Sequence, residues 1–259
     1  MPRALWRDLM PPTAENLVPM TQHCLLVQTN GMNILIDTGL GDKLTEKQQA
    51  IMRLTRPGGG LLGGLARIGL APEDIHLVID THLHNDHCGG NTRHSANGVV
   101  MPVFPNAEYV VQRREYQDAM HPNERTRATY ILDNYQPLYQ RGKMRLLDGD
   151  ADLAPGVRAV VSPGHTPAHM SIRLESAGQH AAFICDLASY AIHFERLGWM
   201  TAYDVEPLVT LETKRHWQIW ALQTNALLIF PHDPRRPAGR FGYDDQGKPY
   251  VKPVDFEYA

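Results

Sequence analysis

The sequence predicts a layered α/β fold in one domain, and three observations lead there. Apolar runs of strand length recur along the chain and end in residues that carry chemistry, as in IHLVIDT, HAAFICD and ALLIF. Stretches with helical periodicity lie between them, the alternation expected of sheet covered by helices. No internal repeat, low-complexity tract or dividing linker interrupts the 259 residues, so residues 1–259 read as a single domain.

The elements follow in order. CLLVQTNGMNILIDTG places apolar residues on both sides of Asn30-Gly31, a dipeptide that tolerates the positive φ angles of a tight hairpin, and predicts strand, turn, strand. LTEKQQAIMRL reads as a helix, the glycine-rich RPGGGLLGG as a flexible connection, and LARIG as a short helix ending at Gly69. IHLVIDT is nearly continuous in apolar residues, the pattern of a buried strand, and THLHNDHCGG leaves from its end. AEYVVQ is a further strand, and the polar stretch from Arg113 to about Arg141 is expected to be helical. MRLLD, VRAVVSPG, MSIRLES and HAAFICD are four short strands separated by turn residues. Pro207 opens a helix to about Leu222 whose apolar face is read as Leu208, Leu211, Ile219 and Leu222, and ALLIF is the last strand, delivering His232.

Composition excludes several classes of function. With 25 basic and 28 acidic residues, a net charge of -3, the chain lacks the basic face that a phosphate backbone requires, so no nucleic-acid partner is expected. Three widely spaced cysteines, Cys24, Cys88 and Cys185, do not suggest a disulfide framework and fit a reducing compartment, here read as the cytoplasm. The N-terminal stretch has no apolar run of signal-peptide length, and nothing later is long enough to span a membrane.

Chemistry concentrates in THLHNDHCGG, where three histidines and an aspartate fall within six positions. Two apart in an extended segment, His82 and His84 project to one side and can reach one metal ion. Asp86 and His87 come where the chain turns, so they point elsewhere and suit a neighbouring second ion. The ligands still needed stand at other strand ends. His165 lies in the Gly/Pro turn of SPGHTPAH, Asp186 ends HAAFICD, where a carboxylate must be paired or metal-bound to tolerate burial, and His232 follows ALLIF. Asp37, after ILI, is a candidate to accept an imidazole N–H, or else closes its own Asp-Thr-Gly turn; His169 is either a similar support or packed. Asp80 reads as a turn cap, and Cys88 and Cys185 as packed thiols that do not bind metal.

DTG at 37–39, PEDI at 72–75, THLHNDHCGG at 81–90, PGHTPAH at 163–169, the aspartate of ICD at 184–186, and His232 occur in the order seen in the metallo-β-lactamase superfamily, which the chain resembles over nearly its whole length. That resemblance implies a four-layer αββα sandwich. It implies two divalent ions, zinc first with iron, manganese or cobalt as alternatives. His82, His84 and His165 would hold one, Asp86, His87 and His232 the other, and Asp186 would bridge them. Relatives commonly carry further strand residues before the point where this chain starts, so the first strand is expected to be shortened or the start displaced.

The expected reaction is hydrolysis by a metal-bridging hydroxide, since divalent ions lower the pKa of bound water from 15.7 to about 7. Residual positive charge on such a site favours a neutral substrate that becomes an anion. Asp86 is the candidate catalytic proton carrier. The motif set is most similar to the branch that includes lactonases and organophosphate hydrolases. A small ester, lactone or phosphotriester is therefore the expected substrate, acted on by a monomer or homodimer with no membrane partner. Tyr190 resembles a lactonase tyrosine that assists the carbonyl, displaced by one residue, and with Phe194, Trp199, Met200 and Tyr203 it either lines an apolar acyl pocket or packs in the core. The competing readings are a glyoxalase II-like thioesterase, for which the acidic ending VDFEYA lacks a basic glutathione module, and a mononuclear iron persulfide dioxygenase.

Overall fold

The computed structural model describes residues 2–255; Met1 and the last four residues of VDFEYA, on which expectations about the start and the glutathione module partly rest, lie outside the described residues. The chain divides into two compact units, Cys24–Ala159 and the combination of residues 2–23 with Val160–Asp255.

Cys24–Ala159 is organised by three parallel pairings. Strand β1 (Leu25–Thr29) turns through Asn30 and Gly31, both at positive φ, into β2 (Met32–Ile36), which is the predicted hairpin. Strand β3 (Leu77–Ile79) is buried at every residue, which accounts for its uninterrupted apolar run. Strands β4 (Thr92–His94) and β5 (Val100–Pro102) form a separate small hairpin. With β6 (Glu108–Gln112) and β7 (Met144–Leu147) the main sheet runs β1-β2-β3-β6-β7, parallel from β2 onward. Ile36 therefore pairs with Ile79, so Asp37 and Asp80 emerge side by side at one end of the sheet, where THLHNDH begins. The core under it includes Leu35, Val78, Leu83, Tyr109 and Tyr135, each contributing about 1.5–3 kcal/mol by burial. Strands β8 (Ala151–Ala154) and β9 (Val157–Val161) form an antiparallel hairpin outside this five-stranded sheet, and β9 spans the point in the sequence where one unit ends and the other begins.

The second unit carries β10 (Met170–Ser176), β11 (Gln179–Phe183), β12 (Leu227–Ile229), β13 (Ala238–Tyr243) and β14 (Pro249–Pro253) in sequential neighbour order, antiparallel except for β11 with β12. That one parallel pair sets Phe183 beside Ile229, so Asp186 and His232, each three residues on, leave the same end. Phe194, Phe230, Phe241, Trp217 and Leu228 form the core.

The structure corrects several expectations. RPGGGLLGG is not a flexible connection: Pro57–Gly59 is a 3₁₀ turn and Gly60–Arg67 a helix, because Leu65 packs into the core and draws the segment into helical register. The stretch from 113 to 141 is two helices, Arg113–Met120 and Gln136–Gln140, with Pro122 falling just past the end of the first. ALLIF is followed by two more strands, and β4, β5 and β8 were not foreseen. The helix Pro207–Thr224 turns the opposite face inward: Thr210, Lys214, Trp217 and Ala221 are buried, while Leu208 is 79% exposed and Ile219 and Leu222 also face out. Among the described residues, which include all three cysteines, no disulfide forms, and no helix is long and apolar enough to cross a membrane.

Candidate metal-binding residues

In Cys24–Ala159 the motif leaves β3 as an extended turn and becomes a short helix at Asn85–Cys88. The rings of His82 and His84 stand edge to face at 4.5 Å, and that of His87 lies 4.2 Å from His82. All three are buried, whereas the Asp86 side chain keeps 28% exposure, with Oδ2 3.6 Å from His87 Nε2. The two glycines after Cys88 are required by a close approach: a Cβ on Gly90 would lie 2.3 Å from the Thr38 carbonyl oxygen, and one on Gly89 2.5 Å from that of Leu40. DTGLG and HCGG are thus one interlocked turn.

Asp37 organises this cluster from a left-handed backbone position, φ 57°, a conformation that aspartate tolerates better than most residues. Its carboxylate accepts the Thr81 N–H (2.8 Å), the Thr81 hydroxyl (2.9 Å) and His87 Nδ1–H (2.9 Å). With its proton given to Asp37, the Thr81 oxygen can only accept from His82 Nδ1, 3.1 Å away. One buried carboxylate therefore puts the protons of both His82 and His87 on Nδ1 and leaves both Nε2 atoms with lone pairs. Glu115, fully buried, accepts the Leu83 N–H (3.0 Å) and the Tyr130 hydroxyl (3.0 Å), holding the backbone between His82 and His84. Asp80 is no turn cap: its carboxylate takes both bonds from the Asn91 amide (3.0 and 2.9 Å), and burial, with Asp37 adding repulsion, raises it well above the usual range.

In the other unit Asp186 is the collecting point. Its Oδ2 lies 3.3 Å from His165 Nε2 and its Oδ1 3.0 Å from His232 Nε2, with the Ser189 hydroxyl also donating to Oδ1 at 3.0 Å. The preceding residue, Cys185, is held at φ 52°, backbone strain of the kind that persists where a turn is over-determined. His232 Nδ1 donates to the Thr21 carbonyl (2.7 Å), and His165 Nδ1 to Asp204 (3.2 Å). His169 does not face this cluster with its ring as a donor: its Nε2 accepts the Asp186 backbone N–H (3.1 Å) while Nδ1 is bonded at Ser162, so it fixes the aspartate's turn. Burial works against ionisation of Asp204, yet His165 and the hydroxyls of Thr201 and Thr210 outweigh it and hold the carboxyl below its ordinary value.

The donor set fits a divalent cation. A carbonyl or ionised carboxylate can only accept, so Nδ1 carries the proton in His165 and His232, and two imidazole lone pairs are aimed at the two oxygens of one carboxylate. Such an arrangement is repulsive without a proton or cation between the atoms, and imidazole with carboxylate is the donor chemistry of zinc and its first-row neighbours.

The residues expected to line a pocket separate. Tyr190 and Trp199 share a cluster with Ile192, against which Trp6, Met10 and Val18 pack. The Tyr190 hydroxyl donates to the Pro19 carbonyl (3.2 Å), and burial, then Asp233 and Asp186, raise its pKa. Tyr190 and Ile192 border a small cavity of about 60 Å³ with Leu9, Met10, Val18 and Pro19. Phe194 packs in the core, edge-on to Phe230 and Phe241 and fully buried, the second of the two alternatives the sequence left open. Tyr203 is 66% exposed. Asp204, Glu115 and Thr81 were not singled out from sequence; the only signal for Asp204 was its place just before Pro207, and for Thr81 its place at the head of the motif.

Comparison with known proteins gives a consistent picture. The metallo-beta-lactamase superfamily profile matches residues 17–234. An N-acyl homoserine lactonase from Bacillus sp is 28% identical over 238 residues, covering 88% of this chain and 87% of the relative. A probable metal-dependent hydrolase from Staphylococcus aureus is similar in structure, with a TM-score of 0.88 at 28% identity over 99% of this chain and 90% of the other. AidC, a dizinc quorum-quenching lactonase solved with N-hexanoyl-L-homoserine, shares the fold with a TM-score of 0.74 at 22% identity, over 98% and 86% of the two chains.

Proposed function

Because the chain belongs to the metallo-beta-lactamase superfamily, with its mixed α/β fold, and is a metal-dependent hydrolase, we propose that it opens a small neutral lactone or related ester at a pair of zinc ions. The observation that carries this reading is the aim of the His165 and His232 Nε2 lone pairs at the two oxygens of Asp186, which only cations or protons reconcile. On the motif order, His82, His84 and His165 would hold one ion, Asp86, His87 and His232 the other, and Asp186 both. Bound there, the ions would supply acidified water as nucleophile and Lewis acidity toward the substrate carbonyl.

The chain's own residues supply the rest. Asp37, directly at His87 and through Thr81 at His82, keeps both rings in the tautomer that leaves Nε2 available. Asp86 is the more exposed of the two candidate carboxylates and would return a proton to the departing alkoxide. The lactone preference draws support from the N-acyl homoserine lactonase that is 28% identical over an alignment spanning 88% of this chain, and from a charge balance that suits neither nucleic acid nor a polyanionic substrate.

The test is a hydrolysis panel of acyl lactones, aryl esters, phosphotriesters, glutathione thioesters and β-lactams, run with metal-loaded protein and with His82→Ala as the blank. A lactone or ester should be fastest and the blank silent. Efficient thioester cleavage with negligible lactone and ester turnover would move the assignment to a glyoxalase II-like enzyme, and activity requiring a single iron with persulfide would move it to a dioxygenase.

A further inference from the structure

The loop that carries His165 is built onto a segment outside every ligand motif. Val205 N–H donates to the His165 carbonyl (3.1 Å) and Glu206 N–H to that of Gly164 (2.9 Å), so residues 204–206 lie along the loop. Thr213 Oγ1 closes on the Pro163 carbonyl at 2.8 Å. Gly164 sits at φ 135°, and a Cβ there would fall 2.4 Å from both the backbone nitrogen and the hydroxyl of Thr210; the loop rests directly on the first turn of the helix Pro207–Thr224. At this junction the Asp204 carboxylate, 4% exposed, takes three donors: His165 Nδ1–H (3.2 Å) and the Thr201 hydroxyl (2.7 Å) on Oδ1, and the Thr210 hydroxyl (2.8 Å) on Oδ2.

We infer that Asp204 is a positioning residue for metal binding: clamped by Thr201 and Thr210, it holds His165 in the Nδ1–H tautomer and at the ring angle that turns Nε2 toward Asp186. The inference rests on the reading of His165 as a metal ligand. It explains the inward face of the helix, whose buried Thr210 reads as a defect in an amphipathic pattern until its partner is identified. Asp204 acts through the imidazole, as carboxylates behind metal-bound histidines do.

The test uses the full chain stripped with chelator and titrated with zinc against a chromophoric chelator. In parallel, long-range ¹H–¹⁵N spectra of the metal-free protein read the His165 tautomer. Asp204→Ala should weaken one of the two ions by about 10–100-fold, leave the other near wild type, and move His165 from the Nδ1–H form to a mixture. Thr201→Ala, which removes a donor to the carboxylate without touching His165, should shift both readouts the same way by less. Wild-type affinity and tautomer in Asp204→Ala overturn the inference. If Asp204→Ala fails to fold, Thr201→Ala decides, and wild-type values there overturn it equally. A wild-type chain that takes up no zinc instead sinks the metal-site reading itself.

Discussion

Asp37→Asn separates metal binding from folding. Asparagine keeps the size of the side chain, tolerates φ 57°, and still offers Oδ1 to the Thr81 N–H. Its NH₂, however, replaces the oxygen that accepts the Thr81 hydroxyl and His87 Nδ1–H. Two donors would face a donor, and the contacts are restored if His87 moves its proton to Nε2 and accepts at Nδ1. Thr81, now accepting from the amide, would donate to His82 Nδ1 and drive the same exchange there. Every buried contact is then replaced, so the metal-free protein should lose no more than about 1 kcal/mol. Both Nε2 lone pairs are lost, and zinc affinity should fall about 10–100-fold at each ion, about 1.4–2.8 kcal/mol apiece. Chelator competition measures the first quantity and urea unfolding of the stripped protein the second. Unchanged zinc affinity would refute the tautomer argument, and a collapse of apo stability with intact affinity would show that Asp37 serves folding alone.

Three further perturbations test the packing around the candidate residues. Lys214 is fully buried with Nζ on the carbonyls of His193 (3.0 Å) and Trp199 (2.5 Å), and burial, partly offset by Asp204, lowers it to about 8. Between about 8 and the ordinary lysine value near 10.4 the unfolded chain holds a proton that the folded chain has released, so stability rises with pH across that window by up to about 3 kcal/mol; Lys214→Met should lack this rise in urea melts, and parallel pH profiles for the two proteins would contradict it. Phe194→Ala should cost about 3–5 kcal/mol in the same assay, as for a core aromatic, and a loss below about 1 kcal/mol would return Phe194 to a pocket wall. Gly164→Ala should cost about 1–3 kcal/mol by overpacking against Thr210 and weaken zinc binding with it; calorimetry showing an unperturbed Tm would mean the loop has room.

What was legible in the sequence follows what side-chain pattern can encode. The apolar runs of β3, β11 and β12 are explicit because those strands are buried, and the donors stand directly after them. Asp37 could be singled out because it ends a strand. Asp204 could not, since a carboxylate in the polar run YDVEP looks like any surface acid until tertiary structure supplies its three donors. The helix Pro207–Thr224 misled for the same reason, as half of its inward face, Thr210 and Lys214, is polar and buried through hydrogen bonds, and only Trp217 and Ala221 enter the hydrophobic core. Strands β13 and β14 were hidden by glycine, arginine and proline, residues that weaken a strand pattern but that pairing tolerates near a sheet edge. Phe194 was left open between pocket and core because sequence does not distinguish an aromatic facing a ligand from one facing two phenylalanines.

The most direct test of the central claim is turnover of an acyl lactone as zinc is returned in steps to the stripped protein. Activity should rise until two equivalents are bound per chain and then level off, with His232→Ala failing to reach that plateau. A plateau at one equivalent, or two bound equivalents with no lactone turnover, would contradict the account.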